Sequence, residues 1–367
     1  MIIAHKERDK TVRILLGTVG ILLIMGIICV YSASSVLAMT HYGYAHYFVK
    51  KQCIGLILGI LLALGIQKVP IKTVKAAAPY LFWGSLLLTA ATLLPSISYL
   101  IHGSRRWLAI GGFSFQPSEL LKVTLPLYIA AFLEKAYANN TRRTTAYIVL
   151  GTVVSATSFV LLLQPDFGLT VTLLATTLAL LFIAQFNLRH ITYLLGGLGI
   201  LSVLLIAMRP YRIRRLLTFL NPWSDPRGAG FQIIQSLIAI GSGHWTGMGI
   251  GHSKQKFFYL PMQHTDFIFA IIAEEIGFIG CIFLLGIYCV FLYAGLRLAT
   301  LMPTFFAQLT IAGYTTVIGL QTIINLAVAT GLAPTKGMGL PFISYGNSAL
   351  IASCMMIGII TLLARKA

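Results

Sequence analysis

Charge is scarce in this 367-residue chain: Asp, Glu, Lys and Arg together make up 10% of it, against about a quarter in soluble domains. That scarcity excludes a soluble globular domain, a disordered chain and a coiled coil. Acidic residues are the rarest, 9 against 27 Lys and Arg, for a net charge of +18. The basic excess lies between long apolar runs, so anionic lipid fits it better than nucleic acid. Five cysteines (29, 53, 281, 289 and 354) all fall in apolar stretches, with no Cys-x-x-Cys pair. Neither a disulfide framework nor a cysteine-built metal site suits that placement. The eight histidines lack metal-ligand spacing. No Ser-His-Asp order or nucleophile elbow stands out.

What the chain does have is hydrocarbon. Hydrophobic types make up 57% of it, and mean hydropathy is +0.87. A spanning helix needs roughly 20 mostly apolar residues. Such windows recur at 14–38, 52–68, 76–95, 119–136, 146–163, 168–186, 190–208, 266–296, 305–330 and 345–364. The pattern predicts an all-α polytopic membrane protein of about ten transmembrane helices, one domain over 1–367. The first window lacks a small-residue cleavage site at its end and reads as a signal anchor. With a cytoplasmic N-terminus at 1–13, the C-terminus is cytoplasmic too, and the loops at 96–118 and 209–265 are periplasmic. Lys and Arg are nearly balanced between the two sides, but most of the outer ones lie in those two loops, and long loops are poorly governed by the charge rule. On charge alone two readings stand: contact with lipid headgroups, or an outward basic cleft for an anionic ligand.

In the longer loop Phe231, Ile234, Leu237 and Ile238 share one helical face, and Gln232, Gln235 and Ser236 the other. That is the pattern of a short helix lying in the membrane interface. Gly241, Gly243, Gly247, Gly249 and Gly251 follow. They lack the Gly-Lys-Ser/Thr ending of a phosphate loop and read as tight, re-entrant backbone that protein must cover. No convincing internal repeat is present, which disfavours a repeat-built transporter.

Glu119, Asp166, Asp266, Glu274 and Glu275 fall at or inside predicted spans, where a charge costs at least ~2.5 kcal/mol at the bilayer centre unless paired or wet. Function and structural ion pairing both place acids there. Asp266 opens the eighth span, with Ala270, Ala273, Gly277 and Gly280 on its side of the helix. A carboxylate above small residues marks either close helix packing or a cavity wall. Glu274 and Glu275 point elsewhere, so a two-carboxylate hydrolase pattern is unsupported. Glu119 and Lys122 are three apart and pair on one helix face. Asp166 lies in a break between apolar runs, where it caps the next helix or shapes a site. His264 reads equally well as a hydrogen-bonded interface histidine.

Several motifs run through these positions. Gly103-Ser104-Arg105-Arg106-Trp107, Gln116-Pro117-Ser118-Glu119-Leu120-x-Lys122 and Gln164-Pro165-Asp166-Phe167-Gly168 come first. Tyr211-Arg212-x-x-Arg215, Phe219-Leu220-Asn221-Pro222-Trp223-x-Asp225-Pro226 and Gly230-Phe231-Gln232-x-x-Gln235-Ser236 follow. Gln255-Lys256-x-x-Tyr259-Leu260-Pro261 then leads into His264-Thr265-Asp266-Phe267-Ile268-Phe269-Ala270-x-x-x-Glu274-Glu275. The last is Pro334-Thr335-Lys336-Gly337-x-x-Leu340-Pro341-Phe342-Ile343-Ser344-Tyr345-Gly346. In this order, across almost the whole chain, they resemble the SEDS family of shape, elongation, division and sporulation proteins, such as FtsW, RodA and SpoVE. The segments around Lys256 and Lys336 are closer to the FtsW/SpoVE branch.

The resemblance implies a ten-span peptidoglycan glycosyltransferase of the bacterial inner membrane, at the division site. Such an enzyme joins lipid II units into glycan strands on the outer face and releases undecaprenyl pyrophosphate. Its implied partners are a class B penicillin-binding transpeptidase and other division proteins. The family's essential acid falls on Asp266, its Glu/Lys pair on Glu119 and Lys122, and its Tyr-Arg-x-x-Arg arginines on Arg212 and Arg215. Two departures stand out: Met262 replaces the usual Glu of Leu-Pro-Glu, and Asn347 replaces a Gly after Tyr345-Gly346.

A lipid diphosphate needs a lipid-open groove and cations at the outer interface. Arg105, Arg106, Arg212, Arg215, Lys256 and Lys336 are the candidates, Arg for bidentate and Lys for point-charge contacts. Glu119, Lys122, His264 and Ser344 complete the candidate substrate contacts. Asp266 is the candidate general base for the acceptor's sugar hydroxyl. A divalent cation, Mg or Mn, is a second possible holder of the leaving diphosphate, with Asp266 as a ligand. A lipid II flippase or other transporter, and a non-catalytic scaffold activating its transpeptidase, are the competing functions.

Overall fold

The computed structural model describes residues 2–95, 97–101, 104–110, 113–139, 143–186, 196–197, 199, 218–228, 230–257, 260–335 and 337–366. Six long helices come first: α1 (Ile2–Tyr42), α2 (Tyr47–Lys68), α3 (Ile71–Ala91), α4 (Ser118–Ala138), α5 (Arg143–Leu163) and α6 (Phe167–Ile183). After the long loop come α7 (Phe231–Ser242), α8 (Ile268–Thr300), α9 (Phe305–Ala329) and α10 (Asn347–Lys366). Nine of the predicted windows coincide with a helix, and 190–208 lies outside the described residues except at 196–197 and 199. Of the described helices, 7 are long and apolar enough to cross a membrane. The outer surface agrees: Ile57, Leu61, Leu64, Ile282, Phe283 and Tyr293 are all exposed, a surface suited to lipid tails and not to water.

Between helices the driving force is close packing, which small residues permit. A Cβ on Gly55 would lie 2.7 Å from Asn347 Oδ1, and one on Gly358 2.7 Å from Ala63 Cα. α2 and α10 therefore meet nearly backbone to backbone. Tyr314, fully buried on α9, donates its hydroxyl to Val123 O on α4 at 2.9 Å.

The two ends of the bundle differ. At one end Arg297 pairs with Glu7 at 2.5 Å, Lys75 pairs with Glu134, and Glu134 Oε1 accepts from Phe306 N at 3.2 Å. The start of α4, the start of α8 and the start of α10 all lie at the other end, and so do the described candidate residues. There the 98–115 segment, predicted only as loop, folds into an antiparallel sheet of β1 (Ser98–Ile101), β2 (Ser104–Ile110) and β3 (Phe113–Phe115), in that order. Tyr99 pairs with Trp107 and Leu100 with Arg105, so Arg106 is the extra residue of a bulge in β2.

α8 is not continuous. Gly277 (φ 68°, ψ −169°) breaks it, and a broken helix leaves backbone groups that lipid will not satisfy. The glycine-rich segment supplies their partners. Met248 N donates to Glu274 O (2.9 Å) and Gly249 N to Glu275 O (3.0 Å), while Phe278 N donates to His244 O (2.9 Å) and Ile279 N to Trp245 O (3.1 Å). The re-entrant reading of the glycine run agrees with this. The small residues below Asp266 serve close packing: a Cβ on Gly243 would lie 2.0 Å from Ala273 O.

α7 departs from its predicted facing. Its buried side carries Ile233, Ile234, Ser236 and Ala239, and Ile238 is exposed. Ser236 turns inward because its hydroxyl donates to Ala329 O at the end of α9, at 2.7 Å.

Candidate functional site

Asp266 owes its place to a tight turn. Met262 adopts φ 56°, and its carbonyl accepts from Thr265 N (3.1 Å) and Phe267 N (3.4 Å). The turn delivers the chain into α8 two residues after Asp266. Residue 262 contributes through its backbone, which is how the turn forms with Met there. Asp266 is half-buried. Its carbonyl accepts from Asn325 Nδ2 on α9 at 2.9 Å. Its Oδ2 faces Gly337, where a Cβ would lie 3.7 Å away.

The loop carrying Gly337 is stitched to the Asp266 turn. Ser344 Oγ donates to Thr265 O and accepts from Leu340 N, both at 2.6 Å. Tyr345 N donates to His264 O at 2.9 Å. Gln52 on α2 donates to Ser344 O (3.1 Å) and accepts from Gly346 N (3.3 Å). Ser344 is thus brought beside Asp266, but its hydroxyl is spent on joining the two loops.

His264 is buried, its ring 4.5 Å from the Phe48 ring and 5.6 Å from that of Tyr345. Burial lowers its pKa from 6.5 to about 4, so the imidazole is neutral at physiological pH. A depressed His pKa means the unfolded chain binds the extra proton. Native stability is therefore full above pH 6.5 and is lost as pH falls toward 4. His264→Phe is expected to flatten that part of the thermal stability profile, measured from pH 7 to pH 4.5; an unchanged slope would assign it to another group.

Glu119 and Lys122 pair at 2.6 Å, both buried, as their spacing predicts. Lys122 Nζ also donates to Gln321 Oε1 on α9 at 2.9 Å. Arg106 holds the break between α5 and α6: it donates to Gln164 O (2.9 Å) and Pro165 O (2.6 Å) and lies 3.4 Å from Asp166 Oδ2. Asp166 caps α6 through Leu169 N at 3.2 Å. Arg105 is half-buried, and its Nη1 has no hydrogen-bond partner among the described residues. Lys256 is buried under the glycine segment, donating to Gly251 O with Glu275 Oε1 3.7 Å away. Glu275 also accepts from Ser32, and Glu274 accepts from Ser253 Oγ and from the backbone of Lys254 and Gln255. Both glutamates anchor the loop from inside, away from Asp266. Arg212, Arg215 and Lys336 lie outside the described residues. Among the described residues no group of three or more His, Cys, Asp or Glu gathers to hold a metal ion.

Gln52, Gln321 and Asn325 escaped the sequence reading, which weighed charges and passed over amides. The signal was available: Gln321 and Asn325 are four apart in a mostly apolar span, hence on one face, and a polar side chain at that depth needs a partner.

A family model described as cell cycle protein, FtsW/RodA/SpoVE, matches residues 13–367. Stage V sporulation protein E of Bacillus subtilis is 38% identical over 343 residues, 93% of either chain. A probable peptidoglycan glycosyltransferase FtsW of Coxiella burnetii is 42% identical over 344 residues, 92% of either chain. Among solved structures, a chain of a peptidoglycan synthase complex superposes with TM-score 0.77 at 32% identity, over 96% of both chains. The rod shape determining protein RodA of Thermus thermophilus superposes with TM-score 0.71 at 29% identity, over 96% of this chain and 95% of that one. With a match from residue 13 to the C-terminal residue and relatives aligned nearly end to end, the chain belongs to the FtsW/RodA/SpoVE family of cell cycle proteins.

Proposed function

We propose that this multi-span membrane protein is a peptidoglycan glycosyltransferase that polymerises lipid II on the outer face of the bacterial inner membrane, at the division site, beside a class B penicillin-binding transpeptidase. One observation carries the reading. Asp266 is a half-buried carboxylate set in a turn whose backbone is fixed from α9, at the same end of the bundle as Arg105 and the Glu119–Lys122 pair. Asp266 removes the proton from the acceptor's sugar 4-hydroxyl as that oxygen bonds to the donor's anomeric carbon. The bond from that carbon to the diphosphate breaks, and undecaprenyl pyrophosphate leaves with the electron pair. Its charge needs cations; Arg105, whose buried Nη1 has no partner among the described residues, is one candidate, and Arg212, Arg215 and Lys336 remain candidates from sequence. Lys256 and Arg106 are engaged with protein groups and are assigned to holding their loops. A divalent cation, Mg or Mn, held by Asp266 and the diphosphate itself would supply the same charge neutralisation.

Reconstitution with labelled lipid II, with and without a class B partner, tests the function. Glycan polymer from wild type that vanishes on Asp266→Ala is expected. Lipid II movement across vesicles without polymer would make the protein a transporter. Polymer that persists in the Asp266→Ala complex would make it a scaffold.

A further inference from the structure

We propose that Gln321 and Asn325 are positioning residues that couple the Glu119–Lys122 ion pair to the loop covering Asp266. The proposal rests on the glycosyltransferase reading above. The two amides lie one turn apart on α9, 4% and 1% exposed. Gln321 has one end on each side: Oε1 accepts from Lys122 Nζ at 2.9 Å, and Nε2 donates to Gly339 O at 2.8 Å. Asn325 Nδ2 is shared between Met338 O at 2.7 Å and Asp266 O at 2.9 Å. Together they grip both strands of the site, the 337–340 loop and the Asp266 turn, from a rigid helix.

This changes what the ion pair is for. Lys122 is 3% exposed, with Glu119 at 2.6 Å and Gln321 at 2.9 Å, so its ammonium is engaged before any diphosphate arrives. Its positive charge orients the Gln321 amide, carbonyl toward Lys122 and N–H toward the loop. Without that charge the amide is oriented by Gly339 O alone, its buried Oε1 loses its donor, and the hold on the loop weakens. The loop then drifts over Asp266. A displacement of about 1 Å in a reacting group is enough for a ~10²-fold loss in rate.

Gln321→Met, Asn325→Leu, Lys122→Met and the Lys122→Met/Gln321→Met double variant would be purified, their melting compared, and initial rates of lipid II polymerisation measured against substrate concentration and pH. Wild-type polymer formation is the control for the underlying reading, and its absence would end that reading and not this one alone. Each single variant is expected to lower kcat about 10- to 100-fold with KM within about twofold. The double variant should be no slower than its slower parent, because Lys122 acts through Gln321. In Asn325→Leu the acid limb of the kcat–pH profile should shift, which loss of folded protein alone would not cause. A raised KM at constant kcat, or effects of Lys122 and Gln321 that multiply, would place Lys122 on the substrate and overturn the proposal. A lowered kcat with an unmoved acid limb would reduce Asn325 to a folding role. If Lys122→Met fails to fold, the KM–kcat split in Gln321→Met and the pH profile of Asn325→Leu still decide.

Discussion

Asp266→Asn is expected to slow lipid II polymerisation by about 10²- to 10⁴-fold, the usual worth of a positioned general base, while melting and lipid II binding stay near wild type. The exchange is nearly isosteric. What seats the residue is backbone: its carbonyl takes the Asn325 amide, and the turn before it is closed on Met262 O. The carboxylate's negative charge and its ability to accept a proton are lost, while these backbone contacts stay. Asp266→Glu is the sharper companion. It keeps the charge but moves the oxygens by one carbon bond toward Gly337, so it is also expected to be slow, by misplacement. Glu274→Gln gives the opposite signature. Glu274 is 1% exposed and receives two backbone N–H groups and Ser253 Oγ, so its loss should lower thermal stability first. Rates of labelled polymer formation, normalised to folded protein, separate these outcomes. A wild-type kcat in the Asp266→Asn protein would remove Asp266 from proton transfer and leave it an electrostatic or structural part.

Much of this site was legible before any coordinates, and the reason is the solvent. In lipid every acid needs an explanation, so Glu119, Asp166, Asp266, Glu274 and Glu275 could be singled out by position alone. The Glu119–Lys122 pair and the Asp166 cap are local, set by spacings of three on a helix, and both are present. Long-range pairing was not legible. Nothing in the residues of α9 says that Gln321 meets Lys122, 199 positions away in sequence. The sheet over 98–115 was hidden for a related reason: short strands at an interface lack the long apolar period that marks a span. Likewise Arg106 and Lys256 read as free cations in sequence, because their partners are backbone carbonyls and the distant acids Asp166 and Glu275.

The largest structural effect is expected at Gly277, where alanine should cost several kcal/mol and sharply lower the recovery of folded protein. Two terms act together. The backbone at φ 68°, ψ −169° lies in a region essentially reserved for glycine, worth about 1–3 kcal/mol to any other residue. The new Cβ would also lie 2.3 Å from Gly247 N, a backbone atom that no rotamer change moves aside. Relief requires separating the glycine segment from α8. That would strand the carbonyls of Glu274 and Glu275 and the N–H groups of Phe278 and Ile279 where unpaired backbone costs several kcal/mol per group. Gly247→Ala, at φ 79° with its Cβ 2.2 Å from Glu275 O, attacks the same joint from the other side and should fail in the same way. Gly286→Ala is the control: it lies in the same helix with nothing within 4 Å of its Cβ, and should leave stability unchanged or raise it by up to about 1 kcal/mol. Melting midpoints of the three variants in detergent test the argument, and equal midpoints for Gly277→Ala and Gly286→Ala would sink it. The break matters for chemistry because it makes the first turns of α8 a separate short rod, docked on the glycine segment and starting two residues after Asp266. The four backbone hydrogen bonds across Gly277 therefore support the acid's position from below, as Asn325 and Ser344 support it from the side.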